Sequence, residues 1–216
     1  MWPASRPFLL DIHHRSDGVA KLSMSTLADL VTQLRKDHRR HGATWRNPAL
    51  WAMAVYRAGV WGQQVQNPIA REIVSKAYGI LHLGVQLTTG FVINREAKIG
   101  SDFHLIHCGN TKIHPDVVIG EGCGIMHDVT IGTNMDRPGV PQLGNNVFVG
   151  AGAKLLGGIS IGDGARIAAN SLVVCDVPAG ATAIGVPARI LQYTGRPSSS
   201  VTSEDSNMAE TVEAPK

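Results

Sequence analysis

Aliphatic residues recur every six positions through the middle of this chain. Ile93, Ile99 and Leu105 set the phase. After a slip of two residues, Ile113, Ile119, Ile125 and Ile131 resume it. Leu143, Val149, Leu155, Ile161, Ile167 and Val173 carry it on beyond a polar interruption. Four positions after these aliphatics stand small or modest side chains: Ala97, Val117, Cys123, Val129, Val147, Ala153, Ala165 and Ser171. Glycine often follows the aliphatic directly, as in Ile99-Gly100, Ile119-Gly120 and Ile161-Gly162. A period of six matches neither the helical 3.6 nor the simple alternation of a strand. It is the mark of a repeat architecture. Three six-residue sides close one turn of a triangular parallel β-solenoid. The aliphatic points inward, the small residue sits near the corner, and each turn stacks about 4.8 Å above the last.

Ahead of the solenoid the periodicity turns helical, so the pattern predicts an α+β chain: an α-helical region over 24–88 and a β-helix over 89–192. The first helix starts near Ser25 or Thr26, with Asp29 placed for a capping box. Leu27, Leu30, Val31 and Leu34 make an i, i+3, i+4, i+7 stripe, and Gly42 ends it. The next two open on Asn47-Pro48 and Asn67-Pro68, Asn as cap and Pro at the first helical position. Leu50, Trp51, Ala54, Val55, Ala58 and Trp61 give one an apolar face; Ile69, Ile73, Val74, Ala77, Ile80 and Leu81 give the other. These faces need cover from each other, from the base of the solenoid or from another subunit. Residues 1–23 lack periodicity and read as an unstructured extension. Residues 193–216 are rich in Ser, Pro, Glu and Asp and read as a disordered tail.

Composition changes this picture little. Net charge is +3 with 17% charged residues, so bulk charge does not mark a nucleic-acid binder. The basic group Arg35, Lys36, His38, Arg39, Arg40 and His41 reads as a solvated helix end complementing the dipole, or as a site for an anionic partner. Three cysteines without CxxC spacing argue against a disulfide framework and suit a reducing cytoplasm. No apolar run reaches the length of a membrane span.

The two breaks in the period are where chemistry is expected. Between Leu105 and Ile113 the chain spends eight residues instead of six, and the surplus must bulge. His107 lies two positions after Leu105, and His127 two positions after Ile125. One turn apart, their imidazoles are expected side by side, with Thr89 and Asn145 in the same column. A neutral histidine suits removal of a proton from an alcohol near neutral pH. The second break, from Thr133 to Gln142, is a polar loop with two prolines, placed to carry binding residues such as Asp136 and Arg137. Asn110 lies in the first bulge and is a further candidate for the acceptor.

Leu105-Ile-His107-Cys-Gly, Gly150-Ala-Gly-Ala-Lys154, Gly185-Val-Pro-Ala-Arg-Ile190 and Tyr56-Arg57-Ala-Gly59-Val-Trp61 carry a resemblance. From about residue 45 to 192 the chain resembles the serine O-acetyltransferase family of hexapeptide-repeat acyltransferases. The resemblance implies a left-handed β-helix and a trimer or dimer of trimers. It implies acetyl-CoA as acyl donor, lying in the groove between neighbouring solenoids, and no metal. His107 takes the catalytic histidine position, with His127 beside it. Ala151, Ala169, Pro187 and Arg189 match positions on the CoA side, with Lys154 or Arg189 facing phosphate. The chain departs from the family at four places: Val92 and Ile106 replace carboxylates near the histidine, and Val140 and Gly139 replace the loop histidine and arginine that recognise serine. Sugar hydroxyls, as in capsule and exopolysaccharide O-acetyltransferases, are therefore a rival acceptor class. His127, Asn110, Asp102, Asp116 or Asp128 is left to orient His107. Two readings from other classes are a zinc site of the γ-carbonic-anhydrase type built from His107, His127 and His114, and a non-catalytic trimeric scaffold.

Overall fold

The computed structural model describes residues 24–192 apart from 25, 45 and 108. The expected extension at 1–23 and tail at 193–216 lie outside the described residues. Three helices precede the solenoid: α1 (Leu27–Arg40), α2 (Pro48–Gly62) and α3 (Pro68–Thr89). Each start is built by the expected cap. Thr26 Oγ1 accepts from Asp29 N–H at 3.1 Å while Asp29 accepts from Thr26 N–H at 2.9 Å, completing the capping box. Asn47 and Asn67 accept from the backbone two residues on, and Pro48 and Pro68 occupy the first turn. Gly90, at φ 72°, ends α3.

The strands are two or three residues long and wind in turns. The first turn holds β1 (Val92–Ile93), β2 (Lys98–Ile99) and β3 (His104–Leu105). The second holds β4 (Lys112–Ile113), β5 (Val118–Ile119) and β6 (Gly124–Ile125). The third holds β7 (Thr130–Gly132), β8 (Gln142–Leu143) and β9 (Phe148–Val149). The fourth holds β10 (Lys154–Leu156), β11 (Ser160–Ile161) and β12 (Arg166–Ile167). The fifth holds β13 (Leu172–Val173) and β14 (Thr182–Ile184), and β15 (Arg189–Leu191) folds back antiparallel on β14. Three parallel sheets form the faces of the prism, β1-β4-β7-β10-β13, β2-β5-β8-β11 and β3-β6-β9-β12-β14. This is the left-handed parallel β-helix that the resemblance implied.

The register confirms the phase of the repeat. Ile93 pairs with Ile113, Ile113 with Ile131, Ile99 with Ile119 and Leu105 with Ile125. Every aliphatic of the hexad series is buried, and so are the small residues from Ala97 to Ser171 that alternate with them. Gly120 shows why glycine follows the aliphatic: a Cβ there would lie 2.5 Å from the carbonyl oxygen of Gly144 in the next turn. Cys123 is one of the inward small residues. Burial pushes its thiol up to about 11, so it behaves as a small core side chain.

The helical faces differ from expectation. On α1, Leu27 and Val31 are exposed; the buried face is Leu30, Gln33 and Asp37, continued by His41. On α2 the buried face is Ala49, Leu50, Ala52, Met53, Tyr56, Arg57, Gly59 and Gly62, so of the expected residues only Leu50 is buried. The physical reason is the surface beneath. Ala49, Ala52 and Met53 join the core of the solenoid, but its open end also presents backbone polar groups of the 97–100 corner, and these need hydrogen-bonding partners. Tyr56 Oη donates to Ala97 O at 2.7 Å and accepts from Ile99 N–H at 3.1 Å. Arg57 donates to Ile99 O (2.9 Å), Gly100 O (2.8 Å) and the Asp37 carboxylate (3.1 Å). Arg57 and Asp37 are both fully buried. On α3 no residue is buried; of its expected apolar face Val74 is half-buried against Gly62 of α2, while Ile69, Ile73, Ala77, Ile80 and Leu81 are exposed.

Candidate active site

The site grows from one corner of the prism, where the third sheet hands over to the first. Residues two positions beyond Leu105, Ile125, Val149 and Ile167 occupy equivalent places there, because those aliphatics are in register. They are His107, His127, Ala151 and Ala169. The two imidazoles are 6.1 Å apart, centroid to centroid, and inclined at 65°. The expected Thr89 and Asn145 do not belong to this column. Thr89 ends α3 and bonds Val85 O, and Asn145 lies at another corner, accepting from Glu121 N–H. Counting whole turns of three hexads places both in the column, but position 89 falls in α3, ahead of the first strand, and the loop at 133–142 adds a hexad between His127 and its true equivalent Ala151.

The surplus residues of the first turn sit just after His107. His107, Gly109 and Asn110 all take left-handed backbone conformations, with φ of 65°, 137° and 40°. Gly109 O still accepts from Asp128 N–H at 2.9 Å, so the ladder closes again at once. The bulge thus turns the exposed His107 out of the wall while the half-buried His127 stays in it. A non-glycine residue held at positive φ marks a place where the surrounding fold dictates the backbone.

Around the histidines lies a small polar group. Asp128 Oδ1 accepts from Asn110 Nδ2 at 3.4 Å and from Lys154 Nζ at 3.3 Å, and Lys154 also donates to Asp128 O at 2.6 Å. Lys154 is therefore held beside the column. Among the described residues no carboxylate pairs with the His107 or His127 ring; Asp116 instead pairs with His114 at 3.7 Å and Asp102 with Arg40 at 3.6 Å. The Nδ1 of His127 is buried without a hydrogen bond. His114 does not join the two histidines, and among the described residues no three His, Cys, Asp or Glu side chains gather as a metal site.

The loop at 133–142 leaves the prism at a different corner, between β7 and β8, so Asp136 and Arg137 stand apart from His107 within one chain. Arg137 makes a two-pronged contact with Asp176, at 2.9 and 3.1 Å, and Asp176 in turn accepts from Ser160 N–H. At the far end of the solenoid, Pro187 follows a cis peptide and Arg189 stands exposed in β15. Ala188 N–H bonds Leu172 O and Gly185 N–H bonds Ser171 Oγ, tying this ending to the last turn above Ala169.

Residues 141–174 match the family model described as bacterial transferase hexapeptide (six repeats). Over 150 residues the chain is 35% identical to the serine acetyltransferase of Synechococcus elongatus, a match covering 68% of this chain and 59% of that protein. Soybean serine acetyltransferase complexed with serine superposes at a TM-score of 0.59 and 30% identity, covering 75% of this chain and 68% of that one. The chain belongs to the serine acetyltransferase family. A further family structure, from Brucella abortus in complex with coenzyme A, superposes at a TM-score of 0.60 and 26% identity, covering 77% and 67%. The chain spans about three fifths of the length of the curated relatives it matches. Val92, which the resemblance put in place of a carboxylate, is a strand residue of β1 whose N–H bonds Thr111 O.

Sequence reasoning missed the buried network under the first turn. Asp37, Arg57 and His41 join the helices to the base of the solenoid, and His41 Nε2 accepts from Leu105 N–H at 3.2 Å. The available signal was spacing: Asp37 and His41 stand four residues apart, one helical turn, on the same side of α1. The basic cluster around them hid it, because its other members are exposed or half-buried.

Proposed function

We propose that this chain is an acetyl-CoA-dependent O-acetyltransferase in which His107 is the general base. The observation that carries the reading is the single in-register column of His107, His127, Ala151 and Ala169. Two imidazoles stand at its foot, and above them small side chains leave room for an extended donor along the corner. His107 takes the acceptor hydroxyl's proton as that oxygen attacks the thioester carbonyl. The carbon–sulfur bond breaks, and the imidazolium returns the proton to the departing CoA thiolate. Lys154, beside the column, and Arg189, at its upper end, supply positive charge for the donor's phosphates. Asn110 and His127 flank the acceptor's entry.

The reading includes assembly. On α3, Ile69, Ile73, Lys76, Ile80, Leu83 and Leu87 follow alternating steps of four and three, the spacing of a coiled-coil seam. The apolar members are more than half exposed, up to 78% at Leu87. A second copy would cover that seam, and a copy packed against the solenoid would bring its 133–142 loop, with Asp136 and Arg137, to a corner its own chain cannot reach. A trimer or dimer of trimers fits both needs. Sedimentation of Ile80→Asp tests the seam: a smaller species than wild type is expected, and an unchanged assembly refutes that role for α3.

The acceptor is a hydroxyl compound. Val140 and Gly139 in the loop favour a sugar hydroxyl over free serine, since an apolar side chain and a residue with none offer no cation to an amino acid's carboxylate. The test is CoA release from acetyl-CoA across a panel of amino-acid alcohols and sugars. His107→Ala should lower turnover by ~10²- to 10⁴-fold with CoA binding little changed. Near-normal turnover in that variant refutes the assignment. Localisation to the cytoplasm is part of the proposal; among the described residues no helix is long and apolar enough to cross a membrane.

A further inference from the structure

We propose that His41 is a positioning residue for His107: its neutral imidazole holds the open edge of the strand that leads into the site, and protonation of His41 releases that edge. The inference rests on the reading of His107 as the reacting base.

The strand in question, β3, is the last of its sheet. Its neighbours in the chain satisfy their amides upward, His104 N–H to Cys123 O and Ile106 N–H to Ile125 O. Leu105 N–H points the other way, where no strand lies. A buried amide left alone there would cost about 1–3 kcal/mol. His41, the residue that caps α1, fills the place of the missing strand, with its Nε2 accepting from Leu105 N–H at 3.2 Å. Its Nδ1 lies 2.7 Å from Asp37 O. A carbonyl only accepts, so Nδ1 carries the proton and Nε2 keeps its lone pair for Leu105. An imidazolium has no lone pair to offer. The contact therefore exists in one protonation state and one tautomer.

Two residues beyond Leu105 the backbone enters the left-handed turn at His107. Ile106 N–H and Gly109 O tie that turn upward to the second turn, while on the approach from below the edge of β3 is held by His41. The groups facing His41 are Asp37 and Arg40 from α1, Arg57 from α2 and His104 from β3, whose ring meets it edge-on at 5.0 Å. Asp102, just before β3, faces Arg40. Burial is the main influence and favours the neutral ring. Arg40 and Arg57 act in the same direction, while Asp37 opposes them. His104 is likewise held toward neutral, first by burial and then by His41.

Three variants separate this role from simple space-filling. His41→Gln keeps an acceptor near the Nε2 position and cannot titrate. His41→Phe keeps the volume and has no acceptor. His107→Ala reports on the base itself. Hydrogen exchange of the peptide spanning β3, corrected for intrinsic rates, reads the edge independently of turnover. His41→Phe should exchange faster there and lose about tenfold or more in kcat, since an ångström of misplacement carries that order of cost; the KM for acetyl-CoA should hold. His41→Gln should stay within a few-fold of wild type, and should lack the loosening of β3 that wild type shows as the pH is lowered. Unchanged exchange in a folded His41→Phe overturns the proposal, as does an acid response in His41→Gln equal to that of wild type. A loosened edge with full turnover also overturns it. Full turnover in His107→Ala overturns instead the base assignment on which it rests.

Discussion

Arg57→Met tests whether the buried ion pair, rather than apolar packing, fixes the helices to the solenoid. The native guanidinium is fully buried and uses three donors: one to Asp37 at 3.1 Å and two to the carbonyls of Ile99 and Gly100 at 2.9 and 2.8 Å. Methionine fills much of the volume and supplies none of them. Asp37 is then left with Gln33 Nε2 at 3.2 Å as its side-chain partner, a neutral donor for a buried charge. Removing one member of a buried pair costs about 3–5 kcal/mol, mostly through the charge left behind. For a chain of this size that is roughly 6–20 °C in melting temperature. The double variant Asp37→Leu/Arg57→Met removes the stranded charge and should recover part of the loss. It should not recover all of it, because the two carbonyls stay unpaired. Thermal denaturation followed by circular dichroism, with assembly checked by sedimentation, measures both. An Arg57→Met protein melting within about 2 °C of wild type would show that the pair contributes little and that the apolar residues of α2 do the holding.

Ile125→Ala, at an inward position in the second turn, should cost roughly 2–5 kcal/mol, and an unchanged melt would break the phase of the repeat. Gly59→Ala should destabilise despite alanine's better helix propensity, because its Cβ would fall 2.5 Å from the Tyr78 ring where α2 and α3 cross; a rise in melting temperature would refute that packing. Arg137→Ala removes an exposed pair worth at most about 1 kcal/mol, so its melt should barely move while KM for the acceptor rises; an unchanged KM would remove the loop from acceptor binding. Free L-serine should be turned over weakly, and efficient serine acetylation would restore the amino-acid acceptor. Burial lowers the His41 pKa from 6.5, so the unfolded chain binds this proton more readily than the folded one. Stability from this site is complete above pH 6.5 and falls as the pH drops below it; His41→Gln should melt with a shallower acid dependence than wild type.

The solenoid was legible because its signal is redundant. Each inward aliphatic is repeated a turn above and below, so one misplaced residue cannot shift the phase, and the two slips announced themselves as departures from a fixed count. The helices had no such redundancy. Alanine, valine and tryptophan surround α2 on nearly every side, so periodicity could not say which face would turn inward. What decided it was the chemistry of the opposing surface, where the carbonyls of Ala97, Ile99 and Gly100 needed donors. Tyr56 and Arg57 are on the buried face for that reason. No reading of α2 alone contains it.

The site divides along the same line. The pairing of His107 with His127 follows from local arithmetic, two residues past aliphatics that share a register. The continuation of that column to Ala151 and Ala169 needed the length of the third turn, which the loop at 133–142 had lengthened by one hexad. That same insertion carries Asp136 and Arg137, at the corner between β7 and β8 and away from the histidines. On the proposed reading, a single chain would hold the base and donor track at one corner and the acceptor loop at another. Packing solenoids side by side is the simplest way to bring those halves together. The assembly proposed above would also cover the exposed apolar seam of α3. Assembly and catalysis would then depend on the same geometry, with the prism's corners setting which residues meet across subunits and the buried Asp37–Arg57–His41 network setting the height of His107 within each.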